Sequence, residues 1–336
     1  MEEKLIKGND NGNDNGNDND NVNVNVNTNA NGNDKIVNSK SSNRKLVWLL
    51  ASRPKTLSGA AVPVVMALSM AWADSGTLRL VPALLCLLFA FVMQIDANFV
   101  NDYFDFLKGT DSVDRLGPQR ACAQGWITPS AMRRGIAITT VCACLVGLPL
   151  VLYGGWWLVG VGAACVVFCF LYTTHLSYRG LGDVLVLLFF GLVPVCLTYY
   201  LQTGTLTRNV VYVSLACGMV IDTLLVVNNH RDREGDRRVG KVTLAVLMGP
   251  RLTELFYFAL GLMACHMGLP YFFTHQWFTF FLPFVYLAIH ARTYRSMKRI
   301  GSGRQLNAIL GQTARNIALY GLFFSIGRLL DAWLLL

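Results

Sequence analysis

Asn98-Phe-Val-Asn-Asp-Tyr-Phe-Asp-Phe-Leu-Lys-Gly-Thr-Asp111 closes a strongly apolar stretch that begins near Leu80. An α-helix turns about 100° per residue. Asn98, Asp102 and Asp105 therefore fall on one stripe, with Asn101 at its edge. A single charge at mid-bilayer costs on the order of 2.5–3.5 kcal/mol. Two carboxylates and two carboxamides are tolerable at such a helix end where they face a wet, protein-lined cavity and share a cation. Oxygen-only ligands of this kind suit a hard divalent ion such as Mg²⁺.

The surrounding chain is far more apolar than a soluble protein: of 336 residues, 53% are hydrophobic and 15% charged. Several runs reach roughly 20 apolar residues, the length that crosses a ~30 Å hydrocarbon core. The expected fold class is all-α: a polytopic protein of the lipid bilayer with about nine transmembrane helices. Candidate spans run near 46–72, 81–107, 133–152, 156–173, 183–201, 210–230, 252–270, 277–292 and 308–334. Arg315, Arg328 and Asp331 interrupt the last. Residues 1–43 form an Asn-rich tail with too few bulky side chains to offset its chain entropy, expected to be disordered, and 44–336 form one intramembrane domain.

The net charge of +9 is unevenly spread, because seven of the 20 acids lie within residues 1–34. Taking the Arg53-Pro54-Lys55 end of the first span as cytoplasmic gathers the loop Lys and Arg on that side. Only Arg79, Arg208 and Arg328 are left on the other. The positive-inside rule then sets the N-terminus inside and the C-terminus outside. That bias accounts for the basic balance without nucleic acid as a partner. The nine cysteines include no CxxC pair and no Cys/His cluster at zinc spacing. His230, His266, His275 and His290 have no ligand-spaced partners and read as solvated or interfacial.

A second acidic stretch, Asn228-Asn-His-Arg-Asp-Arg-Glu-Gly-Asp-Arg-Arg-Val-Gly-Lys-Val-Thr-Leu244, ends the apolar run 210–227 on the same predicted side. Asp232 and Asp236 are four apart and share a helix face. Facing carboxylates repel unless cations lie between them. Two Mg²⁺ ions would neutralise Asp102, Asp105, Asp232 and Asp236 and bridge them to phosphate oxygens. Arg120, Arg231, Arg237 and Lys241 are the natural counter-charges for a diphosphate. A diphosphate at the mouth of an apolar cavity is most simply explained by a lipid tail attached to it. Asp96 reads as a buried structural acid, whereas for Asp222 a place in the cavity and a structural role are equally open.

At these residues the chain resembles the UbiA superfamily of intramembrane prenyltransferases, and within it the 1,4-dihydroxy-2-naphthoate polyprenyltransferases. The first signature is Asn101-Asp-Tyr-Phe-Asp105 with Gly109 and Asp111, continuing to Asp114-Arg-Leu-Gly-Pro-Gln-Arg120. The second is Asn228-Asn-x-Arg-Asp232, Glu234-Gly-Asp236 and Gly240-Lys-x-Thr-Leu-Ala245, with Tyr178-Arg-Gly-Leu-Gly-Asp183 and Arg53-Pro-Lys-Thr56 matching in kind and order. The resemblance implies a UbiA-like bundle with a cytoplasmic cap and Mg²⁺-dependent prenyl transfer from a polyprenyl diphosphate to 1,4-dihydroxy-2-naphthoate. It implies Asp102, Asp105, Asp232 and Asp236 as metal ligands. Asn98, Asn101, Arg115, Arg120, Asn228, Asn229, Arg231, Lys241, Tyr172, Tyr178 and Lys55 would bind substrate, with Asp111 and Arg115 ordering a capping loop. Where the family has a Tyr-Thr-Gly-Gly-Pro-like turn, this chain reads Tyr172-Thr-Thr-His-Leu176. Another aromatic acceptor is the nearest alternative; an ion or metabolite transporter is the alternative from another class.

Overall fold

The computed structural model describes residues 43–109 and 115–335, without the side chains of Asn43, Lys55 and Leu335. The Asn-rich tail and Asp111 lie outside the described residues. The first expected span is divided. A residue before proline is disfavoured in the α-helical basin, and Arg53 sits at φ 52°, ψ 69°, breaking α1 (Asn43–Ser52) from α2 (Leu57–Ser75). Gly76, at φ 68°, caps α2 in the left-handed conformation.

α3 (Leu80–Leu107) is followed by α4 (Pro129–Gly147) and α5 (Val151–Gly154), which a short 3-10 turn joins into one span. Thr128 starts α4 by accepting the Ala131 N–H. α6 (Trp157–Thr174) leads to α7 (Gly182–Val186), a π-helical turn at Leu187–Leu192, and α8 (Val193–Thr203). α9 (Arg208–Arg238), α10 (Leu244–His266), α11 (Leu269–Phe273), α12 (Trp277–Phe281), α13 (Pro283–Ile300) and α14 (Leu306–Leu335) complete the chain. Among the described residues there are eight helices long and apolar enough to cross a membrane. The expected span 277–292 is the exception, because its helix is in two pieces and its last turns carry Arg292, Arg295, Lys298 and Arg299. The molecule is an all-helical integral membrane protein.

α9 is the central helix. Of its apolar window 67% is buried, against 11% for α6 on the periphery. It packs on α2, α7, α8, α10, α14 and the π turn, and its Val213, Cys217 and Val220 meet Tyr199, Tyr286 and Ile317 in the main core. Lipid tails supply no hydrophobic drive between helices, so close packing through small residues matters more here. A Cβ on Gly191 would lie 2.5 Å from the Ser214 carbonyl oxygen, and one on Gly218 would lie 3.0 Å from Leu187 Cα. The π turn and α9 therefore touch backbone to backbone.

Polar groups inside the bundle are answered by side chains from other helices. Asp96 is fully buried and accepts hydrogen bonds from Thr139 and Thr140 on α4, the structural role read from its position. His230 and His290 are buried rather than solvated. His290 stacks between Tyr257 and Tyr286 and bonds the Tyr257 carbonyl, while His230 bonds the Gly301 carbonyl. α14 runs unbroken through Arg328 and Asp331 because both are paired. Arg328 meets Asp74 and Gln276, and Asp331 accepts the Phe278 and Thr279 N–H groups.

Gly191→Val would force two backbones apart, and overpacking costs about 1–3 kcal/mol. Its thermal unfolding midpoint in detergent is expected to fall measurably below that of the parent.

Candidate active site

Three connections meet at one end of the bundle: the segment after α3, the α6–α7 turn, and the α9–α10 turn. The last two are tied together. Val242 donates its N–H to the Tyr178 carbonyl at 3.1 Å, and Arg179 and Val242 form an isolated parallel bridge. Asp105 at the end of α3 and Asp236 at the end of α9 lie within electrostatic reach of each other. The two acidic motifs thus open on the same end of the molecule.

The stripe on α3 is divided differently from the sequence reading. Three residues of helix leave Asp102 and Asp105 about 60° apart, and the site lies on the Asn101 side. Asp105 accepts Arg120 Nη2 at 2.8 Å, and Asn101 accepts the Thr173 hydroxyl. Asp102, expected beside Asp105 as a metal ligand, is 1% exposed. Its two oxygens accept the Ala121 and Cys122 N–H groups, each at 2.9 Å. Asn98, expected as a substrate contact, donates to the Ser52 carbonyl at 2.9 Å and the Thr56 hydroxyl at 3.1 Å. These two residues hold the neighbouring backbone in place.

α9 shows the same partition. Arg231, expected on the diphosphate, is buried and bonds Asp232 with Nε and Nη2 at 2.8 and 2.6 Å. Its Nη2 also reaches Asn228 and its Nη1 reaches Asn307. Asn307 in turn donates to the Leu116 carbonyl at 2.8 Å, and a Cβ on Gly117 would lie 2.6 Å from Arg231 Nη2. Arg231 with Asn228 and Asp232 therefore fastens the 115–118 segment to α9 and α14. Asn229, next to Asn228 on α9, lines the cleft. The same helix carries Asp236, whose Oδ1 meets Lys241 Nζ at 3.4 Å and whose buried Oδ2 has no hydrogen-bond partner.

Cations pair with both carboxylates, Arg120 with Asp105 and Lys241 with Asp236. Lys241, Arg115, Arg53 and Lys108 all lie within electrostatic reach of Asp105. Lys108 Nζ sits 3.7 Å from the centre of the Tyr178 ring and Lys241 Nζ 5.8 Å from it. Lys108 also donates to the Thr173 and Thr174 carbonyls at the end of α6. Arg115 bonds the Pro118 carbonyl. Tyr172, Ser177, Asp183, Asn229, Lys241 and Thr243 line a polar cleft here. Arg53, Lys108 and Asp183 are the residues that motif reading had not placed at the site. The signal for Arg53 was the Arg-Pro pair that ends α1; for Lys108 it was position one residue past the acidic helix. The side chain of Lys55 lies outside the described residues.

Among the described residues no group of three or more His, Cys, Asp or Glu side chains is gathered as a ready metal cage. Of the four expected aspartates, Asp102 is engaged by backbone N–H groups and Asp232 by Arg231, and Asp232 also lies within electrostatic reach of Asp236. Asp105 and Asp236, with the carboxamides of Asn101 and Asn229, form an oxygen donor set of the type a hard divalent ion takes. The unpartnered Oδ2 of Asp236 fits that use.

The UbiA prenyltransferase family matches residues 60–310. The 1,4-dihydroxy-2-naphthoate octaprenyltransferase of Escherichia coli K12 is 34% identical over 305 residues, covering 87% of this chain and 97% of that protein. The Haemophilus influenzae protein of the same name is 31% identical over 309 residues, covering 87% and 99%. Human UbiA prenyltransferase domain-containing protein 1 is 29% identical, covering 84% and 83%. Among solved structures, an apo UbiA homologue from Aeropyrum pernix K1 superposes with a TM-score of 0.60 at 13% identity, covering 82% and 97%. The Archaeoglobus fulgidus homologue bound to GPP and Mg²⁺ gives 0.57 at 14% identity, covering 84% and 99%. The sequence signatures, the bundle and the family match agree: this chain belongs to the UbiA prenyltransferase family and is a prenyltransferase.

Proposed function

We propose that the enzyme transfers an all-trans polyprenyl group from polyprenyl diphosphate to 1,4-dihydroxy-2-naphthoate. Diphosphate and CO₂ are lost, giving the prenylated 1,4-dihydroxynaphthalene, the reduced (quinol) form of demethylmenaquinone. The observation that carries the reading is that Asp105 and Asp236 lie within electrostatic reach of each other at one end of an apolar bundle, Asp105 paired with Arg120 and Asp236 with Lys241. The relatives named for the naphthoate acceptor, 34% and 31% identical over most of both chains, support the choice of acceptor. A permeation path would place its acids near the bilayer midplane, whereas these gather at a helix-end cap.

Asp105 and Asp236 would hold Mg²⁺, with Asn101 and Asn229 assisting. A divalent ion held there would supply charge neutralisation for the carboxylates and for the departing diphosphate. Lys241, Arg120 and Arg115 grip the diphosphate oxygens, Arg bidentately and Lys as a point charge. Tyr178, already stacked against Lys108 and Lys241, holds those ammonium groups at the rim. The prenyl chain extends between the helices, where a water-poor environment and aromatic faces stabilise an allylic cation. The electron-rich ring carbon bearing the carboxylate attacks the allylic carbon as the C–O bond to diphosphate breaks. Loss of CO₂ then restores aromaticity. The cap and N-terminus lie on the cytoplasmic side and the C-terminus outside, as the charge asymmetry of the loops supports.

Asp105→Asn and Asp236→Asn are each expected to lower kcat on the order of 100-fold or more while the unfolding midpoint stays close to the parent's. Full activity in both variants would sink the assignment. Asp102→Ala is expected to act differently, because it leaves two buried N–H groups without acceptors, at about 1–3 kcal/mol each. Its signature is faster amide exchange at Ala121 and Cys122 and a lower unfolding midpoint. Removing divalent ions with EDTA is expected to stop diphosphate release by detergent-solubilised protein, and added Mg²⁺ to restore it; undiminished turnover in EDTA would contradict the metal's role.

A further inference from the structure

Asp183 and Asp222 are buried acids that the reaction as drawn above leaves unused. They are brought together by a backbone-to-backbone helix contact. Asp183, Leu187 and Gly191 recur every four residues along α7 and the π turn, and Asp222, Gly218 and Ser214 recur every four along α9 in the opposite direction. Gly191 meets Ser214 and Gly218, and Gly218 meets Leu187, which leaves Asp183 within electrostatic reach of Asp222. Asp183 is 5% exposed and lines the polar cleft, and its Oδ1 has no hydrogen-bond partner. Asp222 is completely buried, and neither of its oxygens is bonded. Buried carboxylate oxygens are costly to leave unanswered, so an acceptor without a donor at the wall of a cleft points to a ligand that brings the donor. Lys241 lines the same cleft as Asp183 and pairs with Asp236 at 3.4 Å, so this wall adjoins the diphosphate end.

Resting on the function proposed above, we infer that Asp183 is the group that accepts a hydrogen bond from a ring hydroxyl of the aromatic acceptor, with Asp222 as the positioning residue behind it. The ligand class is a planar hydroxylated arene presented edge-on to the cleft. A hydroxyl held by a carboxylate releases electron density into its ring, which favours attack by the ring carbon on the allylic centre. The proton stays on the hydroxyl oxygen or is borrowed by Asp183 during C–C bond formation and returned when CO₂ leaves. The overall balance is therefore unchanged: one C–O bond and one C–CO₂ bond break, and one C–C bond and one C=O bond of CO₂ form.

The test uses the full-length protein in detergent and compares parent, Asp183→Asn, Asp183→Glu and Asp222→Asn. Each is offered 1,4-dihydroxy-2-naphthoate and the two analogues in which one ring hydroxyl is replaced by hydrogen. For Asp183→Asn, kcat/KM toward the dihydroxy acceptor is expected to fall about 10- to 100-fold, the range for a hydrogen bond to a charged group. The KM for polyprenyl diphosphate should stay within about twofold, since the diphosphate grip is untouched, and Asp183→Glu should recover part of the loss. One analogue, missing the hydroxyl that Asp183 holds, should be used equally well by parent and Asp183→Asn. Asp222→Asn should show the same analogue pattern at smaller amplitude. Equal losses of Asp183→Asn on all three acceptors, or a parallel rise in the KM for polyprenyl diphosphate, would overturn the assignment. If the parent itself prenylates none of the hydroxynaphthoates while still binding polyprenyl diphosphate with Mg²⁺, the proposed acceptor fails first, and this inference with it.

Discussion

Carboxylates at the end of an apolar helix have little water to answer them, so each must find a donor in another segment of the chain. That requirement organises this end of the molecule. Asp102 takes the N–H groups of Ala121 and Cys122, Asp105 takes Arg120, and Asp232 takes Arg231, which also reaches Asn307. The segment 115–122 is thereby fastened at three places, to α3, α9 and α14. Burying one partner of such a pair without the other is strongly unfavourable. The acids that make a site possible therefore also hold its cap to the bundle.

α9 serves three surroundings with one polar end. Asn228, Arg231 and Asp232 turn toward α14 and the 115–118 segment, and Asn229 and Asp236 turn toward the cleft. His230 and Arg233 turn toward the α13–α14 connection and Glu254. Successive residues on a helix face directions about 100° apart, so a run as dense as 228–236 must divide its labour. Burial decides the division: the arginine with three protein partners is enclosed, while the lysine at the following turn keeps its ammonium at the cleft.

The opposite end of the bundle is closed by a second polar network. Asp74 joins Arg328 and the Tyr199 hydroxyl, Arg328 lies over the Tyr271 ring, and Asp331 ties α14 to the start of α12. Between the two networks the helices rely on small residues. Gly191, Ser214 and Gly218 allow the π turn to touch α9, and the same contact carries Asp183 to Asp222. A π turn of this kind commonly marks a functional position in a helix, and here it sits one turn beyond the acid that lines the cleft.

Composition and apolar run length were enough to determine an all-helical membrane protein, because crossing hydrocarbon is a demand that each segment meets locally. Charge asymmetry and the spacing of Asn101–Asp105 and Asp232–Asp236 likewise placed two acidic motifs at the same end of the bundle. Those properties are written along the chain. What only the tertiary structure decided is which acid does what. Residues three and four apart on a helix differ by at most about 60°, too little for the sequence to separate Asp105, which pairs with Arg120, from Asp102, which grips backbone. The partners that make the distinction, the Ala121 N–H, Asn307 and Arg53, lie far along the chain from the acids they answer or sit on a turn whose direction a proline sets. Asp222 was visible as an acid within an apolar run, and Asp183 as the last residue of the Tyr178–Asp183 motif. Their meeting depends on two glycines in different helices, a relation that no local pattern expresses.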